Sequence, residues 1–317
     1  MKILITGCAG FIGYHLSSLL TQKKMKIYGI DNLNNYYDVE LKKERLKILK
    51  KNKNFFFYKL SLENKKKLNE NIKLNKYDIV INLAAQAGVR YSISNPDAYF
   101  SSNLTGFYNL LKICNESKVK FFVSASTSSV YGANKKFPLS EKDSTDNPLS
   151  FYAATKKCNE IIASSFNKIY GMKILMLRFF TVYGPYGRPD MSLYKFSESL
   201  KFNKNVELYN YGNHVRDFTY IDDVTDAIFK LIKNRKKLKS FEILNIAGSK
   251  PSTLRNYLNI IAKNFNKKPK IKMLPLQKGD VIKTYASNKL LKKRIKNIKI
   301  TKLEKGIKNF VEWFKNY

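Results

Sequence analysis

The chain has 317 residues, 44% of them hydrophobic and 14% aromatic, which excludes a chain that stays unfolded and leaves ample material for a buried site. Lysine and arginine number 59 against 24 acidic residues, a formal net charge of +35. Most of the excess is Lys interleaved with Asn, as in Lys50-Lys51-Asn52-Lys53-Asn54, the pattern of solvated faces; it is therefore read without a nucleic-acid or membrane partner, although such a field favours an anionic substrate.

Apolar, β-rich runs at 2–6, 26–31, 54–60, 78–83, 119–124 and 172–179 alternate with helix-compatible stretches at 11–23, 38–52, 64–74, 97–118 and 149–170. That rhythm predicts a parallel sheet with helices on both faces. The turn formers of Gly184-Pro-Tyr-Gly-Arg-Pro189 end it. Beyond them, helices at 192–201, 222–234, 253–264 and 302–316 alternate with short strands near 206–209, 242–246 and 271–274. Cys8, Cys114 and Cys158 are far apart with no C-x-x-C spacing, and His15 and His214 are the only histidines. Neither a disulfide framework nor a metal site is expected, and a reducing, cytoplasmic setting is the default. Glycines at 7, 10 and 13 interrupt the first apolar run, and no stretch is long enough to span a bilayer.

The first strand leads into Gly7-Cys8-Ala9-Gly10-Phe11-Ile12-Gly13, and Asp31 closes the second. Glycines without side chains let backbone N–H groups approach a pyrophosphate at the positive end of a helix, and the carboxylate can accept hydrogen bonds from a ribose. Three glycines can also mark nothing more than a tight turn; strand before, helix after and acid at the end of strand two together favour a dinucleotide. A carboxylate at 31 repels a 2′-phosphate, so NAD is expected over NADP. The expected fold is α/β, a Rossmann-type doubly wound parallel sheet over 1–180 with a smaller mixed α/β substrate lobe over 181–317, some chain exchange between the lobes, and a cleft where they pack.

Tyr152 and Lys156 stand four residues apart at the start of the helix over 149–170, so both address one point. A tyrosine that ordinarily ionises near pH ~10 is brought toward the catalytic range by a neighbouring ammonium. Ser124-Ala-Ser-Thr127-Ser-Ser-Val-Tyr-Gly132 follows a strand and places hydroxyls at the sheet edge where ligands bind, with Thr127 the choice for orienting a substrate oxygen. The bland readings are a surface Tyr beside an unrelated Lys, and a Ser/Thr turn that caps backbone groups.

Together with these residues, Ile30-Asp-Asn-Leu-Asn-Asn-Tyr-Tyr-Asp38, Ala84-Ala-Gln-Ala-Gly-Val-Arg-Tyr-Ser92, Ser150-Phe-Tyr-Ala-Ala-Thr-Lys-Lys157, Leu177-Arg-Phe-Phe-Thr-Val-Tyr-Gly-Pro185 and the run from Tyr209 to Asp223 resemble the extended short-chain dehydrogenase/reductase family over nearly the whole chain. Within it, the sequence is most similar to the UDP-glucuronate 4-epimerase group. The resemblance implies that Gly7, Gly10, Phe11, Ile12, Gly13, Asp31, Asn32, Leu62, Ala84, Ala85 and Asn103 surround NAD, with Tyr152 and Lys156 reaching it. Thr127, Tyr152 and Lys156 take the catalytic positions. Thr181, Lys195, Tyr211, Arg216 and Asp280 resemble substrate positions, Arg216 facing the diphosphate of a UDP-sugar. Two helices per subunit, 97–118 and 149–170, imply a homodimer. One departure is Leu60-Ser61-Leu62, where the family often has Gly-Asp-Leu, which puts an adenine contact by that Asp in doubt.

The implied reaction is reversible oxidation at C4 of the sugar, which inverts that centre with no net redox change. A 4,6-dehydratase resembles the chain except that Asp-Glu follows its catalytic Thr; Ser128-Ser129 stand here and cannot easily supply an acid/base pair. A 4-keto uronic acid is a β-keto acid prone to losing carbon dioxide, so a cation near C6 is expected, and Arg188 is assigned to it, with diphosphate binding or turn capping as its bland roles. UDP-glucose or UDP-N-acetylglucosamine epimerisation stays open, as does a catalytically idle NAD-binding fold recruited to RNA by charge.

Overall fold

Strands covered on both faces must be apolar almost throughout, and the first half of the chain meets that demand. The computed structural model describes residues 1–317. β1 (Lys2–Thr6), β2 (Lys26–Asp31), β3 (Phe55–Lys59), β4 (Ile79–Asn82), β5 (Phe121–Thr127) and β6 (Ile174–Phe179) form one parallel sheet. The chain then runs through β7 (Thr181–Tyr183), β8 (Asn205–Tyr209) and β9 (Val215–Tyr220) before β10 (Phe241–Ile246) returns to that sheet beside β6. β11 (Pro251–Thr253) and β12 (Lys270–Leu274) complete the strands. The seven-stranded order is β10-β6-β5-β4-β1-β2-β3, a Rossmann-type doubly wound sheet. Connections leave β1 and β4 in opposite directions, which opens a crevice at their C-terminal ends, where ligands enter such sheets.

The helices are α1 (Phe11–Gln22), α2 (Val39–Lys50), α3 (Lys65–Asn75), α4 (Tyr91–Ser94), α5 (Pro96–Tyr99), α6 (Phe107–Glu116), α7 (Phe151–Tyr170), α8 (Ser192–Lys201), α9 (Ile221–Lys233), α10 (Leu254–Phe265), α11 (Lys289–Arg294) and α12 (Leu303–Asn316). Leu16, Leu20, Leu46, Ile228 and Leu291 pack one sheet face, drawing in α1, α2, α9 and α11. Leu68, Ile72, Leu110, Leu111 and Ala163 pack the other from α3, α6 and α7. The smaller lobe holds a three-stranded sheet, β11-β9-β7, and the parallel pair β12-β8. Its core joins α8, α10 and α12 through Phe196, Tyr257, Phe310 and Phe314, with Phe218 stacked on Tyr257 at 4.0 Å.

Four local expectations change. The helix expected over 97–118 is α5, a π-helical segment at Phe100–Gly106, and α6. The wide turn carries buried Asn103, whose amide is committed to backbone across the cleft wall, and such π segments mark functional sites often enough to notice. β5 continues through Thr127, since its ladder with β6 extends to the pair Thr127–Phe179; serines that suggest a turn are here strand residues. β6 stops at Phe179 as expected, but a further strand, β7, follows it and passes into the second sheet. β9 and β11 carry too many polar residues to announce themselves as strands.

α7 begins where the Ser150 side chain caps the Ala153 N–H and ends on left-handed Gly171. Glu160 anchors it. Its carboxylate accepts from Arg178 Nε and Nη2, both at 2.8 Å, and from the Ser126 hydroxyl at 2.6 Å, with Glu160 and Arg178 each only 3% exposed. α7, β5 and β6 thus meet in one buried ion pair. Glu160→Ala leaves Arg178 buried and unpaired and should lower the unfolding free energy in urea by about 3–5 kcal/mol. Removing Glu116, half-exposed in its pair with Lys112, should cost less than ~1 kcal/mol in the same measurement.

Candidate functional site

The crevice at the C-terminal sheet edge continues between the lobes as one cleft of about 760 Å³. Its floor at one end is bare backbone. Gly7 has φ +70°, and a Cβ there would lie 2.7 Å from the Ala84 N; one on Gly13 would lie 2.0 Å from the Gly7 O. Nothing larger than glycine fits at position 13 without moving the loop, so the start of α1 is presented as uncovered N–H groups, a cradle that fits a pyrophosphate. Asp31 fastens this cradle, accepting from the Ala9 N–H at 3.0 Å and the Leu33 N–H at 2.9 Å. Burial pushes its carboxyl up, while the Leu33 amide, the Lys42 ammonium and the Ala9 amide draw it back. Each oxygen keeps a lone pair for a ribose hydroxyl. The residues present therefore fit NAD.

Phe11, Ile12, Asn32, Leu62, Ala84 and Ala85 line the same end with Gly10. Asn103 does not reach the cleft: it sits behind the wall, accepting from the Gln86 N–H at 2.8 Å and donating to the Gln86 O at 3.0 Å and to Thr155 Oγ1 at 3.1 Å. It positions the Ala84–Ala87 segment. At the departure noted above, the Ser61 hydroxyl donates to the Glu63 carboxylate, and both line the cleft. An acid is therefore present two residues beyond the position where the family has one.

Tyr152 and Lys156 enter the cleft from the first two turns of α7, with Thr127 at the end of β5 lining it beside them. Lys156 donates from Nζ to the Ala125 O at 3.0 Å, and burial pushes its ammonium down to about 8, with Glu160 opposing. Burial raises the Tyr152 phenol; the Thr127 side chain and the Arg188 guanidinium oppose that rise. Lys156 Nζ is thus engaged by a carbonyl one helical turn from Tyr152, and the Arg188 guanidinium adds a cation to the field at the phenol. Thr127 Oγ1 also accepts from the Ser129 N–H at 3.1 Å and donates to Ser129 Oγ at 3.2 Å.

The cleft also holds paired cations. Arg188 is bound by Asp190 through two hydrogen bonds, 3.0 and 2.5 Å, and Asp190 also accepts from the Tyr36 hydroxyl at 3.1 Å. Asp280 pairs with Arg216 at 2.9 Å and with Arg90 at 4.0 Å, and His214 Nε2 lies 3.4 Å from it without a hydrogen bond, its imidazole held below its ordinary range by burial and by Arg216. Thr181 and Lys195 line the cleft here as well. Tyr211 does not: it is 55% exposed on a 3₁₀ turn with φ +52°, its carbonyl accepting from Arg255. Sequence reasoning missed Tyr36, Arg90, Asp190 and His214. All four lie inside or beside motifs already singled out, but only the fold brings the Tyr36 hydroxyl to Asp190 and places Arg90 and His214 beside Asp280.

Residues 3–247 match the model of the NAD dependent epimerase/dehydratase family. The chain is 40% identical to a UDP-glucuronate 4-epimerase of Thermodesulfobacterium geofontis, covering 98% of this chain and 95% of that one. Among solved structures it resembles the UDP-glucuronic acid 4-epimerase of Bacillus cereus in complex with UDP-glucuronic acid and NAD, with a TM-score of 0.94 and 30% identity over 100% and 99% of the two chains. It also resembles a UDP-glucose 4-epimerase of Thermotoga maritima with UDP-glucose, at a TM-score of 0.89 and 31% identity over 100% and 99%.

The depressed Lys156 has a stability consequence. Between the folded value of about 8 and the ordinary 10.5, the unfolded chain binds the extra proton, so stability rises with pH across that window and the full penalty applies below it. Lys156→Met should therefore be more stable than the parent at pH 7, by on the order of 3 kcal/mol less the lost Ala125 hydrogen bond, with the gain fading between pH 8 and 10.5. Urea titrations at pH 7 and pH 10 check this; a gap independent of pH would place the burial penalty elsewhere.

Proposed function

The chain belongs to the NAD dependent epimerase/dehydratase family, and on that premise we propose that it interconverts UDP-glucuronate and UDP-galacturonate by inversion at C4. The observation that carries this reading is that one cleft brings together a bare phosphate cradle, the group Tyr152, Lys156 and Thr127, and the cations Arg188, Arg216 and Lys195. The named relatives with UDP-glucuronate activity support the choice of sugar.

The amides at Gly7, Gly10 and Gly13 would hold the cofactor pyrophosphate beside Phe11 and Ile12, Asp31 would accept from the adenosine ribose, and Asn32, Leu62, Ala84 and Ala85 would flank it, with Asn103 acting through the Gln86 backbone. Bound there, NAD would supply the two-electron redox chemistry that oxidation and re-reduction at C4 require. Tyr152 takes the proton of the 4-hydroxyl and later returns it. Thr127 holds that oxygen in line, and its side chain opposes the rise that burial imposes on the Tyr152 phenol. Lys156 contacts the cofactor ribose. Arg216 and Lys195 bind the diphosphate, Asp280 orients Arg216 and the sugar-nucleotide ribose, and Thr181 lies beside the hexose. Arg188 addresses the C6 carboxylate and keeps it from the alignment in which the oxidised sugar would lose carbon dioxide. Ser128 and Ser129 follow Thr127, so the acid/base pair that elimination of water requires is missing from that position.

One observation favours a second reading, epimerisation of UDP-glucose: the Arg188 charge is already met by Asp190, so the hexose pocket carries no net cation there. We further propose a two-lobe division near residue 180 with β10 exchanged into the larger lobe, and a homodimer across α6 and α7, where Tyr108, Ile161 and Ile169 are exposed. Three unpaired cysteines accord with a reducing cytoplasm. No helix is long and apolar enough to cross a membrane.

Incubation with UDP-glucuronate, UDP-glucose and their N-acetyl analogues, followed by NMR of the products, tests the assignment. UDP-galacturonate should form from UDP-glucuronate, and Tyr152→Phe should slow that conversion by about 10²–10⁴-fold with NAD still bound. No inversion of any of these sugars would remove the epimerase reading.

A further inference from the structure

The arginine assigned to the sugar carboxylate is not free. Arg188 donates from Nε to Asp190 Oδ1 and from Nη2 to Oδ2, which leaves Nη1 as its open edge. The two side chains are 19% and 28% exposed, so water screens the pair weakly. Asp190 is itself braced from a distant segment, since the Tyr36 hydroxyl donates to Oδ2. Tyr36 in turn is wedged in place: its hydroxyl lies where a side chain on Gly88 would stand, and its ring packs on Tyr91 at 4.9 Å. All three residues line the cleft that holds Tyr152.

Inversion at C4 makes two demands on such a site. An acidic sugar needs a cation to be preferred over a neutral one. Yet the hexose must turn its opposite face to the same reacting centre, so its C6 carboxylate has to leave whatever partner it has in every turnover. An unpaired, half-buried guanidinium would grip that carboxylate through two charge-assisted hydrogen bonds, a strong hold in the wrong place. We propose that Asp190, braced by Tyr36, is a positioning residue that cancels most of the Arg188 charge and offers the sugar only the Nη1 edge, so that a uronate is selected but can be released to turn. This rests on UDP-glucuronate as the substrate. The Arg188 guanidinium holds the Asp190 carboxyl below the usual range against the effect of burial, so the counter-charge is present at neutral pH.

The test uses the full chain loaded with NAD and compares the KM and kcat for UDP-glucuronate with the inhibition constant of UDP-glucose. Asp190→Asn removes the charge and keeps an acceptor for Tyr36. It should lower KM for UDP-glucuronate about fivefold or more and lower kcat about tenfold, while the UDP-glucose constant stays within about twofold. Asp190→Glu should restore kcat, and in an Arg188→Met background Asp190→Asn should change neither constant. Tyr36→Phe, which removes only the brace, should move KM and kcat in the same directions by less, and it serves where the Asn variant loses NAD or thermal stability. A KM for UDP-glucuronate that rises in Asp190→Asn or Tyr36→Phe, equal changes for the two sugars, or an effect that persists without Arg188 would each overturn the inference alone. Absence of any UDP-glucuronate inversion by the parent protein overturns the substrate reading, and the inference with it.

Discussion

The site depends on the buried ion pair between Glu160 and Arg178. Glu160 is one helical turn beyond Lys156 on α7, Arg178 is on β6, and Ser126 of β5 closes the group. Pinned at its midpoint to β6 and β5, α7 resists sliding or rotating against the sheet, so Tyr152 and Lys156 are held against Thr127 at the end of β5. Two charges removed from water recover little net stability against apolar residues of equal size; the pair acts through geometry, because this register gives both carboxylate oxygens an Arg178 donor. Its negative member also lies near enough to Lys156 to sustain an ammonium that burial works against.

A second buried cation joins the two ends of the cleft. Arg45 is fully buried, with Nη1 donating to the Ala9 O at 2.8 Å and the Tyr37 hydroxyl at 2.8 Å, and Nη2 donating to the Tyr186 O at 2.7 Å. One side chain therefore ties the glycine loop, the 31–38 segment and the loop that bears Arg188. Cofactor cradle and sugar pocket are held by a common strut, and a change in either loop reaches the other through it. Within the cleft, Arg188 and Arg216 are each matched to an acid, Asp190 and Asp280, so the net charge of +35 is locally balanced there.

What could be read from the sequence follows from how local its physical cause is. The alternation of apolar runs with amphipathic stretches carries the sheet and its helices, and the Gly7–Gly13 loop with Asp31 carries the cofactor end, since each needs only near neighbours to make sense. Tyr152 and Lys156 share a helical turn, and Thr127 ends a strand. The rest depends on contacts between residues far apart. β9 and β11 are polar strands stabilised by their sheet, and β10 cannot be assigned to a lobe before its pairing with β6 is known. Asn103 carries a hydrogen-bonding amide that suits a ligand contact as well as the wall it supports, and Tyr211 is separated from the cleft by a left-handed turn that its sequence does not announce. Asp190 is two residues from Arg188, but its bracing by Tyr36 spans the two lobes and is visible only in three dimensions.

The central claim is that hydrogen leaves C4 of the sugar and returns to the same carbon, with the chain's own groups moving only the hydroxyl proton. UDP-glucuronate carrying deuterium at C4, incubated in ordinary water and followed by NMR and mass spectrometry, addresses it directly. The account predicts UDP-galacturonate that retains the deuterium at C4. Product with protium at C4, exchanged from solvent, would contradict it.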